Sequence, residues 1–154
     1  VEEAQAEGAV FVPTADDLAG IDAWFARYDA LATAGDVEAM ADMALFPLNL
    51  ATDDAQGNGS AWQWTREQFI SGMSAAMGPE GPEGPEGPEG GATGVTMEST
   101  RTPHFLTPQL AIVVTDAVHS AGGTTHRLRY ADLLVKRDGR WLFQTMVQGG
   151  WGGR

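Results

Sequence analysis

The chain contains no cysteine, which rules out disulfides, thiolate metal sites and cysteine nucleophiles. It has no apolar run near the ~18–20 residues that a membrane-spanning helix needs. Basic residues are scarce: 9 Lys and Arg stand against 21 Asp and Glu, for a net charge of −12. Its 3 histidines, His104, His119 and His126, show no metal-ligand spacing and no HExxH, so no metal is expected. Glycine-rich phosphate loops, a P-loop and a GxSxG elbow are also missing, and no cofactor is expected.

What charge there is sits unevenly. Residues 1–100 hold 18 acidic and 2 basic residues, whereas residues 101–154 hold 3 acidic and 7 basic ones. The acidic half argues against nucleic-acid or anionic-membrane partners, because phosphate contacts need clustered Lys and Arg. The basic residues Arg127, Arg129, Lys136, Arg137 and Arg140 are spread over two strands and a turn, which suits a solvated or dimer-facing sheet surface. VEEAQAEGAV lacks the basic start and apolar core of a signal peptide. The compartment is therefore open between the cytoplasm and export after removal of a leader before Val1.

A chain of 154 residues with 43% hydrophobic content suits one domain that buries roughly two thirds of its unfolded surface. Residues 1–13 read as a loose arm, with Val10–Val12 able to dock, and 14–154 as the single domain. Thr14 with Asp17 three residues later marks a capped helix start. Leu18, Ile21, Trp24, Phe25, Tyr28 and Leu31 then form one apolar stripe. Gly35 ends that helix, and Asp36 caps a short second one over Val37–Ala44. Phe46–Ala51 and Ser60–Trp64 read as a strand pair around the turn-rich Asp53–Gly59. Thr65 and Gln68 open a third helix that stops at Gly78-Pro79.

Four GPE triplets span Gly78–Glu89, and the insertion runs on to Gly91. So few triplets inside a globular domain do not make a collagen helix, and an extended, acidic, polyproline-II-like loop is expected. From Gly94 onward the pattern is nearly all strand. Val95–Leu106 is interrupted by Pro103, where a bulge or strand end is expected. Leu110–Val118, Arg127–Lys136 and Trp141–Gln148 complete a sheet. Asp138-Gly139 forms the last tight turn.

Three helices, a strand pair between the second and third, and a terminal sheet carrying DLLVKRDGRWLF resemble the nuclear transport factor 2-like superfamily. That superfamily includes SnoaL-like cyclases, ketosteroid isomerase, scytalone dehydratase, limonene epoxide hydrolase and non-catalytic association domains. The resemblance spans Thr14–Gly149 and is sharpest over Tyr130–Phe143. It implies an α+β fold: a cone-shaped barrel with three N-terminal helices packed in a curved antiparallel sheet, enclosing an apolar pocket. It also implies a homodimer through the outer sheet face. Function does not follow from the fold, which hosts unrelated activities.

A two-residue Asp138-Gly139 turn would pair Lys136 with Trp141 and Asp132 with Thr145. His126, Leu128, Tyr130, Asp132, Leu134, Trp141, Phe143, Thr145 and Val147 would then face the interior. Arg129, Ala131, Leu133, Val135, Leu142, Gln144, Met146 and Gln148 would face a dimer partner. Asp132, a carboxylate in an apolar cone, would have a raised pKa and could act as general acid or base. It also reads as an aspartate bonded to Tyr130, Thr145 or backbone for stability alone. Tyr28 on the first helix and His104 after Pro103 are the assisting candidates, as ketosteroid isomerase presents a tyrosine and SnoaL-like cyclases pair histidine with aspartate. As structure, Tyr28 is core and His104 an edge residue. Trp24, Trp62, Trp64 and Phe69 could line a flat apolar pocket or simply pack, with Asn49, Tyr130 and Thr145 as polar lining.

No catalytic set of the family transfers whole. Limonene epoxide hydrolase uses an Arg-x-Asp pair, whereas Arg129 and Asp132 are three apart. Asp53 and Asp54 lie in a turn-rich loop, unlike the base of ketosteroid isomerase. Two readings remain: a dimeric domain that binds a small apolar or aromatic molecule, and a cofactor-independent isomerase, cyclase or dehydratase using Asp132.

Overall fold

The long helix is fixed by side chains at its N-terminus and by a left-handed glycine at its C-terminus. In this computed structural model, which describes residues 10–77 and 96–150, α1 runs Ala15–Ala34. The Asp17 N–H donates to Thr14 Oγ1 at 3.1 Å, and the Thr14 N–H donates to Asp17 Oδ2 at 2.8 Å. This reciprocal box satisfies two helix-end donors. It also holds the Asp17 carboxyl below its ordinary pKa, chiefly through the Thr14 backbone bond. Gly35 takes a left-handed φ of 73°, and the Gly35 and Asp36 N–H groups close onto Ala32 and Leu31 carbonyls at 3.1 and 3.0 Å.

Helix α2 (Val37–Ala41) is shorter than the expected Val37–Ala44. The Phe143 N–H donates to the Met43 carbonyl at 3.0 Å, which draws the chain into the sheet before another helical turn can form. Strands β1 (Ala44–Asp53) and β2 (Gly59–Trp64) follow, then helix α3 (Arg66–Met77). The Thr65–Gln68 capping box is present, with bonds of 2.8 and 3.2 Å. Gly72 of α3 is required by packing, since a Cβ there would lie 2.8 Å from the Trp64 ring.

The remaining strands are β3 (Thr96–Thr107), β4 (Leu110–Ala121), β5 (Thr124–Arg137) and β6 (Arg140–Gln148). All six belong to one sheet, ordered β2-β1-β6-β5-β4-β3. The sheet is mixed, because β1 pairs parallel with β6. This corrects the expectation of an antiparallel sheet: β1 enters beside the last strand running the same way, after the whole chain has crossed over. The third helix follows the strand pair, in the order expected from the sequence.

Two details of register matter later. Pro103 neither bulges nor ends β3, which pairs continuously from Thr96 to Phe105, and the irregularity falls between Phe105 and Thr107. β3 is a sheet edge, where one row of N–H groups has no ladder partner and proline is tolerated. At the other hairpin, Asp138 and Gly139 take φ values of 51° and 77°, and Lys136 pairs with Trp141 as expected. Leu134 then pairs with Phe143 but Leu133 pairs with Thr145, so Gln144 is an extra residue. This bulge reverses the facing of everything after it on β6. Asp132 therefore pairs with Met146 and not with Thr145. Thr145 and Val147 turn outward, with Val147 43% exposed, while Met146 packs against the core.

The core lies between the helices and one sheet face. Ile21, Phe25, Met40, Leu48, Leu50, Phe69, Val113, Leu134 and Phe143 are buried in it. Phe143 is its hub, with Trp24, Tyr28 and Phe69 rings at 5.8, 5.3 and 5.8 Å. Burying each such ring stabilises by roughly 1.5–3 kcal/mol. Phe11 of the arm packs on Phe105 at 5.7 Å, while Val10 and Val12 stay exposed. The GPE insertion, residues 1–9 and Trp151 lie outside the described residues.

Candidate functional site

Paired residues of neighbouring strands share a face, so the register sorts the inner face into rows. One row is Phe105, Ala111, Leu134 and Phe143; the next is Pro103, Val113, Asp132 and Met146; the third is Arg101, Thr115 and Tyr130. The first row is apolar, the third is polar, and Asp132 stands between them.

Arg101 organises the polar row. Its Nη1 and Nη2 donate to the Asp29 carboxylate on α1 at 2.7 and 3.2 Å, a two-pronged pair across the sheet–helix gap. Its Nε donates to Thr115 Oγ1 at 3.3 Å and its Nη2 to the Tyr130 hydroxyl at 3.4 Å. The guanidinium also sits over the Phe25 ring at 4.3 Å, a favourable cation–π placement. Burial works against its charge most strongly, but the hydrogen bonds to Asp29 and Tyr130 outweigh that, and its pKa lies above the ordinary value.

Asp132 has no such support. Among the described residues nothing donates a hydrogen bond to its carboxyl, and none of their buried side-chain oxygens is both sealed and unpaired. Its oxygens therefore keep some access to space. Desolvation by the surrounding protein pushes its pKa up to about 7, with Arg101 pulling it down and Asp29 pushing it up. Asp132 as a residue is only partly buried by surface, so the desolvation comes from protein packed around it without complete enclosure. A carboxyl titrating near neutrality can donate or accept a proton.

The other candidates fall in three places. Trp24, Tyr28 and Phe69 belong to the packed interior: Tyr28 stacks on Trp24 at 5.4 Å with planes 7° apart, and Phe69 is fully buried. Trp64 meets Phe69 at 6.2 Å, while Trp62, 37% exposed, lies near the sheet edge. His104 pairs with Ile112 and Asn49 with Thr145, all on the outer face. His104 thus points away from Asp132, one residue out of phase with the inward Pro103 and Phe105. Asn49 and Thr145 join Gln63 and Gln144 in an outer hydrogen-bonded row, with Gln63 donating to Asn49 at 2.8 Å and Thr145 to Gln144 at 2.8 Å. They are corrections to the expected interior lining, caused for Thr145 by the Gln144 bulge. Only Tyr130 joins Asp132 at the polar end.

Arg101, Asp29 and Thr115 were not among the candidates from sequence. Asp29 lies four residues after Phe25, hence on the same helix face, and that spacing was a usable signal. Arg101 shares its alternation with Phe105, but its partner lies 72 residues away. A concavity of about 280 Å3 opens beside them, lined by Asp22, Phe25, Ala26, Asp29, Ser99 and Arg101. No group of three or more potential metal ligands exists among the described residues.

No protein-family model matches the sequence, and no curated protein matches it. Solved structures do match in fold. Aln2 from a Streptomyces species has a TM-score of 0.60 at 15% identity, covering 91% of this chain and 94% of that one. An NTF-2 like protein of unknown function from Shewanella oneidensis has a TM-score of 0.57 at 15% identity, covering 87% and 97%. A provisionally assigned scytalone dehydratase from Novosphingobium aromaticivorans has a TM-score of 0.53 at 13% identity, covering 90% and 95%. The chain has the nuclear transport factor 2-like fold, also called cystatin-like. At these identities the likeness describes the fold alone.

Proposed function

We propose that this protein binds a small, largely apolar or aromatic molecule between α1 and the inner sheet face, with Asp132 as its polar anchor. The observation that carries this reading is the Asp132 carboxyl, which faces inward from β5 with access to space and no protein donor. Met146, the cross-strand partner of Asp132, offers apolar contact, while Arg101, Asp29 and Tyr130 form a polar cluster in the neighbouring row. A ligand hydroxyl or carbonyl would meet a carboxyl able to donate or accept according to pH. A thermal-shift screen of phenols and aromatic ketones tests this, since ligands of the folded state raise its melting temperature. Ligands whose shift disappears in Asp132→Asn support the reading; shifts unaffected by that change exclude Asp132 as anchor.

The protein acts as a homodimer through the outer face in this proposal. Ile112 and Val147 are 37% and 43% exposed there, and Val114, Ala131 and Leu133 share their rows. An Arg129–Asp116 ion pair of 2.6 Å stands toward one end of the patch. Ile112→Lys with Val147→Lys should shift the sedimentation coefficient to that of a monomer.

A second reading is favoured by the pKa of Asp132, pushed up to about 7: proton transfer next to a carbonyl, with Asp132 as acid or base and no cofactor. Tyr28 lies on the same side of the sheet and His104 on the other. Solvent deuterium exchange into 2-tetralone, lost in Asp132→Asn, would support this; equal exchange in both proteins would remove it.

A further inference from the structure

A separate concavity of about 280 Å3 lies between α1 and the start of β6. Trp24, Trp141, Arg27, Arg140, Gly20 and Met43 line it, and Asp132 does not. Two guanidinium groups, Arg27 and Arg140, border it. Arg66, Arg101 and Arg129 are neutralised by Asp42, Asp29 and Asp116. Arg27 and Arg140 form no ion pair among the described residues; Arg140 reaches only the Asp42 carbonyl, at 3.5 Å. In a chain with 21 acidic and 9 basic residues, two uncompensated guanidinium groups border the same opening.

The aromatic walls are held in place. The Trp24 Nε1–H donates to the Trp141 carbonyl at 3.0 Å, and Trp24 is stacked on Tyr28. The Trp141 ring meets Phe105 at 5.9 Å and lies 5.5 Å from Lys136 Nζ. Gly20 adds a third observation. Glycine is disfavoured within a helix, yet a Cβ at Gly20 would meet nothing within 4 Å. Packing does not demand glycine there, and Gly20 lines the concavity.

We propose that this concavity binds an aromatic carboxylate of one or two rings, the ring against the tryptophans and the carboxylate at Arg27 and Arg140. Guanidinium groups match a planar carboxylate with paired donors, and the volume lies just below the usual range for drug-sized ligands. The site is independent of Asp132.

Isothermal titration of the full chain with 2-naphthoate, 2-naphthamide and inorganic phosphate tests the proposal. Naphthoate should bind saturably and change the tryptophan fluorescence, with the neutral amide and phosphate each at least about tenfold weaker. Arg27→Gln and Arg140→Gln should each weaken naphthoate about tenfold, a loss of one charged partner. Gly20→Leu should abolish binding with the circular dichroism unchanged, and Asp132→Asn should leave it intact. Equal binding of acid and amide, phosphate as tight as naphthoate, full affinity in the arginine variants, or loss in Asp132→Asn would each overturn it. A failed Asp132 site would leave these outcomes untouched.

Discussion

Two neighbourhoods of the inner sheet face lie on either side of the row that holds Asp132, and they do different work. Around Phe105, Leu134 and Phe143 the rings of α1 and α3 close on the sheet, and Leu134 and Phe143 are almost wholly buried. Around Arg101, Thr115 and Tyr130 the same strands offer hydrogen bonds and charge, tied to α1 through Asp29. Asp132 belongs to neither side: it is too far inside for full hydration and receives no donor of its own. Backbone pairing is thus shared across the face, while stability and chemistry are divided by side chain.

Changing the apolar side should have the largest effect. Phe143→Ala removes the hub of the aromatic cluster and should lower unfolding free energy by about 3–5 kcal/mol, read by urea denaturation. A loss below about 1 kcal/mol would mean that the packed side does not carry the fold.

Asp132→Asn should act in the opposite direction and depend on pH. The native carboxyl titrates near 7, above its ordinary value of 3.8. Between those values the native state holds more protons than the unfolded chain, so stability falls as pH rises through that window. The asparagine variant lacks this dependence. It should be more stable than the parent by up to about 4 kcal/mol at pH 8, with the difference vanishing toward pH 4. Parallel stability curves for the two proteins would mean that Asp132 carries no such burden.

Arg101→Met tests the polar side itself. It removes hydrogen bonds to a half-exposed Asp29, so solvent discounts the loss to about 1–2 kcal/mol. It also removes the charge that holds the Asp132 pKa down, so that group should titrate higher still. An unmoved or lowered titration would show that Arg101 does not act on Asp132. The smallest effect belongs to His104→Ala on the outer face, expected within about 0.5 kcal/mol and without influence on any ligand that binds at the proposed Asp132 site.

Much of the fold was legible from local chemistry. Thr14 with Asp17, Gly35, Thr65 with Gln68, and Asp138-Gly139 each mark a boundary through a bond or a backbone angle that only a few residue types supply. The inward facing of Asp132 also followed from strand alternation. The Gln144 bulge did not, because an extra residue carries no marker of its own and reverses Thr145, Met146 and Val147 together. Pro103 misled for a related reason: its effect depends on whether the strand is an edge, a property of the assembled sheet. The Arg101–Asp29 pair joins residues 72 apart, and no periodicity within either element announces a partner in the other.

The decisive measurement is a carbon-detected NMR titration of the Asp132 side-chain carboxyl, assigned by its absence in Asp132→Asn. Its midpoint should fall near pH 7, the value to which burial raises it, and should move upward in Arg101→Met. A midpoint near the unperturbed 3.8 would mean a solvated or hydrogen-bonded carboxylate, and Asp132 would then not be the poised polar group of this site.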